Sequence, residues 1–395
     1  MSYQDFLAQH WQKQPLFVTA AFTELEDFIS PSELAGFSLE PQVESRLIIE
    51  KNAADWSLEK GPLQEDRFNR LPKTHWTLLI QALDHYVPEL ARLLDQFNFI
   101  PQWRIDDIMM SYAVTGGSVG PHYDYYDVFL IQISGQREWQ VGQACDDNTP
   151  LIPELPVRIL KQFDCSQCFK ATPGDMLYLP PGVAHHGIAL DDDCITLSVG
   201  FRAPGYGELL AEYSHFLANQ LPENFRFQDP GRSAITTQDH ITKNQPAKDH
   251  SGTLNDTDIN AIQSQLCTLI NDRSKLTRWL AEYLSAPKYD DQELLANDIG
   301  DEEILECLAE GLEVIRDESS RFIYLAENEE NLLYVSGESL TIPDQATNLA
   351  SLIASKRAFN GRELLNHAST TAARNWLVDL FQAGYLYIHY DDSPD

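Results

Sequence analysis

The sequence predicts a mainly β protein with helical additions, in which an antiparallel barrel or double-sheet jelly roll precedes a helical segment and a winged-helix-like domain. Residues 102–202 hold eight short apolar runs separated by Gly, Pro and Asp, a spacing typical of such barrels. No helical pattern intervenes between these runs, which argues against a doubly wound α/β fold. Apolar residues then recur at helical spacing from 259 to 284, and several helices followed by a strand close the chain.

The first hundred residues are predicted to hold short helices and turns that pack against the outside of the barrel. A helix is expected over Tyr3–Gln12, followed by a strand-like exit at 15–18. A second helical stretch is expected from His75 to Phe97.

The barrel strands are predicted from short apolar runs bounded by turn residues. The run from Asp127 to Ser134 indicates a buried strand, Gly135-Gln136 a hairpin turn, and Arg137 to Val141 the returning strand. The candidate strands are 103–114, 122–133, 137–141, 157–159, 168–170, 176–180, 184–190 and 194–202.

Three domains are expected, with boundaries at 1–204 for the barrel and its N-terminal helices, 205–287 for a helical linker, and 288–395 for the last domain. Within the second domain, a helix is predicted near Glu208–Gln220 and a polar linker at 222–253. One long helix should follow, because Ile259, Ile262, Leu266, Leu269, Ile270, Leu276, Leu280 and Leu284 recur at helical spacing. Its apolar stripe predicts a homodimer, although the chain's own core could also absorb it.

The last domain reads as helix 301–311, a hairpin at 321–336 with its tip at 327–331, helices 345–355, 361–367 and 370–383, and a strand at 385–390. This order is typical of a winged helix. Residues 288–395 carry 7 basic and 22 acidic side chains, a net charge of −15. A DNA-binding winged helix needs a basic recognition helix, so the domain is expected to dock protein or brace a dimer and not to bind DNA.

The whole chain of 395 residues is strongly acidic, with 28 basic and 60 acidic side chains and a net charge of −32. Such a field repels nucleic-acid phosphates and favours basic partners. The start of the chain shows no secretion signal and no stretch is long enough to span a membrane, so a cytoplasmic location is expected. The six cysteines are too sparse for a disulfide framework, and the single Cys165-x-x-Cys168 lacks the second pair of a structural zinc site.

The candidate chemistry begins at His122-x-Asp124, which follows the glycine-rich turn 116–121. Side chains at i and i+2 of a strand share a face, so the imidazole and the carboxylate would be presented together. A third ligand is expected from the Pro-Pro-Gly-x-x-His run, either His185 or, as the second choice, His186, since neighbours on a strand face opposite sides. Two histidines and one carboxylate form the facial triad of non-haem Fe(II) oxygenases, which leaves coordination sites open for a chelating co-substrate and for O₂.

These motifs resemble a known family. The segments GGSVGPHYDYYDVFLIQISGQREW, DMLYLPPGVAHHGIAL and LSVGFRAP closely resemble the JmjC-type ribosomal oxygenases, in their bacterial branch of ribosomal protein arginine hydroxylases. The opening DFLAQHWQKQPLFV and the acidic winged helix after a helical dimerisation segment are also similar. The resemblance implies a double-stranded β-helix of the cupin/JmjC jelly-roll type.

The resemblance also implies roles for individual residues. His122, Asp124 and His185 match the family's catalytic iron triad, and Arg137 matches the residue that binds 2-oxoglutarate, as a guanidinium suits a carboxylate. The positions around the target side chain match Asp107, Met109, Tyr126 and Ser198, with Asp106 as the alternative if a bulge exchanges the strand faces.

The expected function is therefore that of an Fe(II)- and 2-oxoglutarate-dependent protein hydroxylase that uses O₂. By resemblance, its substrate is the basic ribosomal protein numbered sixteen in the large (50S) subunit. The resemblance implies that the β-carbon of an arginine in that protein is hydroxylated. Alternatives with the same chemistry are histidine or asparagine hydroxylation and demethylation of methyl-lysine. A non-catalytic acidic factor that binds ribosomal proteins during assembly is an alternative from another class.

Overall fold

A computed structural model describes residues 1–23, 28–52, 55–228, 254, 256–289, 294, 299–325 and 331–390. The chain divides into two compact units, Pro204–Leu284 and Met1–Ala203 with Ser285–Asp395. The three predicted domain boundaries stay a prediction. None of the helices among the described residues combines the length and the apolar character needed to cross a membrane.

Two facing antiparallel sheets confirm the predicted jelly roll. The larger sheet has the strand order β1-β9-β6-β11-β5-β4-β2-β3 and the smaller one the order β10-β7-β8. The strands are β1 Leu16–Val18, β2 Ser45–Asn52, β3 Asp55–Lys60, β4 Trp76–Ile80, β5 Ile105–Ala113, β6 Val128–Ser134, β7 Arg137–Ala144, β8 Gln167–Ala171, β9 Met176–Leu179, β10 Val183–Ala189 and β11 Cys194–Phe201.

The two faces of the larger sheet have different surroundings. On β6, Phe129 and Ile131 belong to a large core that includes Phe6 of the first helix. Val128 and Leu130 instead belong to a cluster with Trp139 and other residues of the smaller sheet. Alternation along the strands thus separates an outer apolar core from an inner face between the sheets, and the N-terminal helices cover the outer core, as predicted.

Four short helices accompany the barrel: α1 Tyr3–Gln9, α2 Pro31–Phe37, α3 Glu65–Phe68 and α4 Pro88–Leu93. The predicted helix from His75 to Phe97 is wrong over its first part, because Trp76–Ile80 is a strand between β2 and β5. All five residues of that strand are buried. A short run that is apolar on both faces has no period that separates a strand from a helix.

Three barrel predictions need correction. Residues 157–159 form no strand, and the chain there makes only an isolated bridge between Leu151 and Leu160. The run predicted at 122–133 becomes a strand only at Val128. Gly135-Gln136 does not close a hairpin, since β6 and β7 belong to different sheets. Gly135 has a φ of +61°, and a Cβ there would lie 2.5 Å from the carbonyl oxygen of Asp193, so this glycine permits the sharp crossing between the sheets.

The second unit is helical, with α5 Tyr206–Gln220, α6 Asp256–Ile270 and α7 Arg273–Ser285. Tyr213, Leu217 and Trp279 form its buried cluster. The prediction of one long helix is wrong, because the helix ends at Ile270 and a new one begins at Arg273. Asp272 Oδ1 accepts a hydrogen bond of 3.2 Å from the Lys275 backbone N–H, a typical N-cap interaction that starts a helix. Most of the predicted linker, 229–253, lies outside the described residues.

The C-terminal part has the predicted order of helices and a final strand. Its helices are α8 Asp301–Glu310, α9 Thr347–Ser355, α10 Gly361–His367 and α11 Thr371–Gln382, and its strands are β12 Glu313–Arg316, β13 Phe322–Tyr324, β14 Leu332–Val335, β15 Glu338–Thr341, β16 Ala358–Asn360 and β17 Leu386–His389. The strands form two small sheets, β16-β12-β17 and β13-β14-β15. The pairing of β13 with β14 confirms the predicted hairpin, whose tip at 327–330 lies outside the described residues.

Candidate active site

Three polar side chains converge at the smaller sheet: His122, Asp124 and His185. The Asp124 Oδ2 atom lies 3.6 Å from His185 Nε2 and 3.9 Å from His122 Nε2. One ligand atom from each of the three residues lies within 4.8 Å of the other two. Because metal–ligand distances are about 2.0–2.2 Å, these three atoms are close enough to share one ion.

Backbone hydrogen bonds hold the cluster together. His122 N–H donates to the His185 carbonyl at 3.0 Å, and His185 N–H donates to the His122 carbonyl at 2.8 Å. The Gly182 N–H donates to the Asp124 carbonyl at 2.7 Å. The prediction that the His-x-Asp motif lies on a strand is therefore wrong. The motif lies on a segment tied to β10 by an isolated bridge.

The two imidazoles are oriented by carbonyl groups. His122 Nδ1 lies 2.8 Å from the Gly120 carbonyl oxygen, and His185 Nδ1 lies 3.0 Å from the Val183 carbonyl oxygen. A carbonyl oxygen only accepts, so each Nδ1 must carry the proton in these bonds. Each Nε2 then presents a lone pair toward Asp124, the arrangement usual for metal-binding histidines.

The electrostatics agree with this assignment for His185. Its side chain is buried, and burial, together with the neighbouring His122, lowers the pKa of His185 to about 4. The imidazole is then neutral near pH 7, which is the form that binds a metal.

His186, the second choice, points away from the cluster. It pairs with Gln140 across β7, and its ring lies 6.1 Å from that of Phe163. The histidine that the structure brings next to Asp124 is His185.

Arg137 begins β7 and is almost completely buried, with 3% of its surface exposed. Its Nε and Nη2 atoms have no hydrogen-bond partner among the described residues. Its Cα pairs with that of Ala189, while the Cα of Val141 pairs with that of His185. Val141, the partner of His185, lies four positions after Arg137 on β7, so Arg137 and His185 share the inner face. Their positions are about 13 Å apart along the strand direction. The alternative of a solvent-facing hairpin arginine does not agree with this burial.

The residues predicted around the target side chain also share a face. Asp107 and Met109 lie two residues apart on β5 and therefore point to the same face. Their Cα atoms pair with those of Gly200 and Ser198 on β11. Asp107 is buried, whereas Asp106 is partly exposed, so the inward carboxylate is Asp107.

Tyr126 lies near the carboxylates of both Asp107 and Asp124. Burial raises the pKa of the Tyr126 phenol, and the nearby carboxylates of Asp124 and Asp107 raise it further, although part of the ring is exposed. The protonated form of the phenol is therefore favoured.

Sequence reasoning missed the partners of Asp107. Its Oδ2 atom accepts hydrogen bonds of 2.7 Å from both Gln81 Nε2 and Lys288 Nζ. Gln81 Oε1 in turn accepts from Arg46 Nη2 at 2.7 Å. Recognition of the strand Trp76–Ile80 would have placed Gln81 on the inner face by alternation, but no local pattern marks Lys288.

Comparison with known proteins supports this reading of the fold. Residues 92–209 match the model of the JmjC domain, and residues 268–387 match that of the ROXA-like winged helix, which confirms the predicted class of the C-terminal domain. The ribosomal protein uL16 3-hydroxylase of Escherichia coli K12 is 32% identical over 394 residues, which is 98% of each chain. A probable ribosomal oxygenase of Haemophilus influenzae is 37% identical over 66% of this chain and 62% of its own.

Solved structures of E. coli YcfD give the same result. One crystal structure has a TM-score of 0.84 at 29% identity and covers 98% of both chains. A structure described as YcfD, a ribosomal oxygenase, in complex with cobalt and 2-oxoglutarate has a TM-score of 0.80 at 29% identity over 99% of both chains. Because the likeness extends over nearly the whole length of both the relative and this chain, the protein belongs to the bacterial ribosomal oxygenases, with a JmjC domain followed by a ROXA-like winged helix.

Proposed function

We propose that this ribosomal oxygenase hydroxylates the β-carbon of an arginine in ribosomal protein uL16, with Fe(II), 2-oxoglutarate and O₂. The class of reaction, that of a 2-oxoglutarate-dependent dioxygenase, follows from the family. The observation that supports the choice of substrate is a His-Asp-His cluster together with the buried carboxylate of Asp107 on the inner face of the larger sheet.

His122, Asp124 and His185 would hold the Fe(II) ion. Two neutral imidazoles and one carboxylate, each fixed by backbone contacts, are the donor set that this metal prefers in oxygenases. When bound, the iron activates O₂ while 2-oxoglutarate is oxidised to succinate and CO₂.

Arg137 would bind the distal carboxylate of 2-oxoglutarate. A buried guanidinium with two nitrogens lacking acceptors is costly unless a ligand supplies them. A carboxylate suits the planar fork of these donors with two parallel hydrogen bonds. Arg137 also lies on the same face as His185, so the co-substrate would extend from the cluster toward the arginine.

Asp107 would bind the guanidinium of the target arginine. Met109 and Tyr126 would then lie along its aliphatic stem, and Ser198 would complete the wall beside Met109. Holding the charged end at Asp107 would fix which carbon of the stem is presented to the cluster, and the similarity to a uL16 3-hydroxylase supports the β-carbon. Positioning of this kind is the main contribution that the protein makes to selectivity.

The substrate and the assembly fit the charge of the chain. A net charge of −32 favours a basic ribosomal protein as client and disfavours DNA. A ribosomal client also places the enzyme in the cytoplasm. We further infer a homodimer formed through α6, where Ile259, Ile262, Leu266 and Ile270 are exposed along one face.

The test is hydroxylation of uL16 by the purified chain. With Fe(II), 2-oxoglutarate and O₂, we expect stoichiometric succinate and a mass increase of about 16 Da on one arginine peptide, as one added oxygen requires. The His185→Ala change removes a metal ligand and should lower turnover by more than roughly 100-fold. Loss of only the hydrogen-bond partner of such a ligand typically costs roughly 10–100-fold.

The matched control is His186→Ala, which removes the neighbouring imidazole and should leave most of the turnover. Loss of turnover in the His186 variant alone would contradict the assignment of His185. Binding of uL16 by the wild-type protein with no succinate and no mass change would contradict the hydroxylase and favour an assembly factor.

A further inference from the structure

Lys288 binds the carboxylate of Asp107, to which we assign the guanidinium of the target arginine. Its Nζ atom lies 2.7 Å from Asp107 Oδ2 and 2.9 Å from Asp106 Oδ2. The Lys288 side chain is 18% exposed, so water screens this interaction only in part. The next residue, Tyr289, donates a hydrogen bond of 2.9 Å to Glu44 and fixes the backbone at this point.

The charges around Asp107 are already matched. Lys288 bridges the two aspartates, and Arg321 Nη2 lies 3.0 Å from the other oxygen of Asp106. A second cation at Asp107 would meet the Lys288 ammonium at short range, and like charges repel strongly in a partly buried site. The arginine of a client can therefore bind Asp107 only if Lys288 withdraws.

The geometry allows such an exchange. Asp106 already binds Lys288 and can retain the ammonium when it leaves Asp107. On the other side of the carboxylate, Gly200 has no side chain, and a Cβ there would lie 3.7 Å from Asp107 Oδ1. A guanidinium approaching past Gly200 would reach Oδ1 and, once Lys288 leaves, would share Oδ2 with the side-chain amide of Gln81.

We propose that Lys288 is an internal competitor that occupies Asp107 and lowers the affinity of the site for the cationic side chain of the substrate. This rests on the proposed role of Asp107 in substrate binding. Displacement of the Lys288 ammonium costs the same whichever cation replaces it, so the competition weakens the binding of arginine and of lysine alike. The preference of a carboxylate for a guanidinium, which binds through two donors, does not depend on Lys288.

The test compares the full-length wild-type protein with Lys288→Met, which keeps the length of the side chain and removes its charge. Binding of Nα-acetyl-arginine amide and Nα-acetyl-lysine amide is measured by calorimetry, and KM and kcat are measured with a uL16 fragment. We expect Lys288→Met to bind both amides about tenfold more tightly, as loss of one competing charged hydrogen bond allows, to leave their affinity ratio unchanged, and to lower KM with little change in kcat.

Two further variants complete the design. Lys288→Arg should weaken binding of both amides, because a guanidinium holds both aspartates more firmly. Lys51→Met removes the same charge from an exposed position and should change neither the amide affinities nor KM. Unchanged or weaker binding of the arginine amide by Lys288→Met would overturn the proposal and make Lys288 a structural support of Asp107.

The two proposals fail in distinguishable ways. If the wild-type protein oxidises no arginine of uL16, the proposed function is wrong, yet the amide affinities still decide whether Lys288 competes for Asp107. If uL16 is oxidised but Lys288→Met binds the amides no more tightly, only the role of Lys288 is wrong.

Discussion

At the scale of single residues, Trp139 links the two groups that would hold the co-substrate. Its ring lies 5.5 Å from the Arg137 guanidinium carbon and 6.2 Å from the His185 ring. Gly187 stands opposite it on β10, and a Cβ there would lie 2.5 Å from Trp139 Cζ3. The ring can stay in place only because residue 187 has no side chain.

We therefore expect Gly187→Ala to push Trp139 out of position. Overpacking of this kind should lower the free energy of unfolding by about 1–3 kcal/mol, and displacement of Arg137 should raise KM for 2-oxoglutarate more than KM for the client. Urea denaturation and initial-rate kinetics measure the two effects. The control is Gly36→Ala, where a Cβ meets nothing within 4 Å. If Gly187→Ala behaves like that control, Trp139 does not position Arg137.

The residues of the candidate site differ in how far the sequence reveals them. His122 and Asp124 share one short motif, and a Pro-Pro-Gly turn marks the region of His185, so their convergence could be predicted. Lys288 lies 181 residues from Asp107 in a segment without a recognisable pattern. Only the folded chain brings the two together, because nothing local distinguishes a buried lysine from one on the surface.

At the scale of elements, predictions succeeded where the period of apolar residues was unambiguous. Helix α11 was placed to within one residue at each end, since its buried face repeats at helical spacing. Strand β4 was mistaken for part of a helix, because its apolar residues are buried on both faces. The pairing of β7 with β10 could not be predicted from a turn that looked like a hairpin, since the partner strand lies about forty residues later.

The cap of α11 gives a test at this scale. Thr370 Oγ1 accepts a hydrogen bond of 3.2 Å from the Ala373 backbone N–H. Thr370→Ala should cost about 1 kcal/mol, which corresponds to amide exchange about fivefold faster in Thr371–Gln382. Thr371→Ala, one residue later and exposed, removes no cap and should leave exchange the same or slower, since alanine favours the helix. Equal exchange rates in the two variants would show that the cap does not stabilise α11.

At the scale of the whole molecule, composition predicted the kind of partner better than it predicted the architecture. The charge of −32 agrees with a basic client. By contrast, the break between α6 and α7 depends on a local cap at Asp272, which a continuous apolar stripe conceals. The net charge is a sum over all side chains, whereas the course of the backbone depends on individual residues such as Asp272.

The exposed face of α6 leads to a prediction about assembly. Ile259, Ile262, Leu266 and Ile270 are 43%, 45%, 54% and 41% exposed, and their spacing places them on one side of the helix. An apolar stripe of this kind on a surface marks an interface. Light scattering should therefore give a mass of about twice the 44.8 kDa of the chain, and Leu266→Asp should give the single-chain mass, because a buried unpaired carboxylate opposes association.

The control for this variant is Leu190→Asp, which places the same charge at an exposed leucine of the barrel. It should leave the dimer intact. Measurement of turnover alongside mass tells whether each protomer has a complete site. All the described residues assigned to the iron, the co-substrate and the target arginine lie within residues 107–198 of a single chain, so monomeric Leu266→Asp should still hydroxylate a short uL16 fragment. A wild-type protein of single-chain mass, or a Leu266→Asp dimer, would exclude the α6 face as the interface.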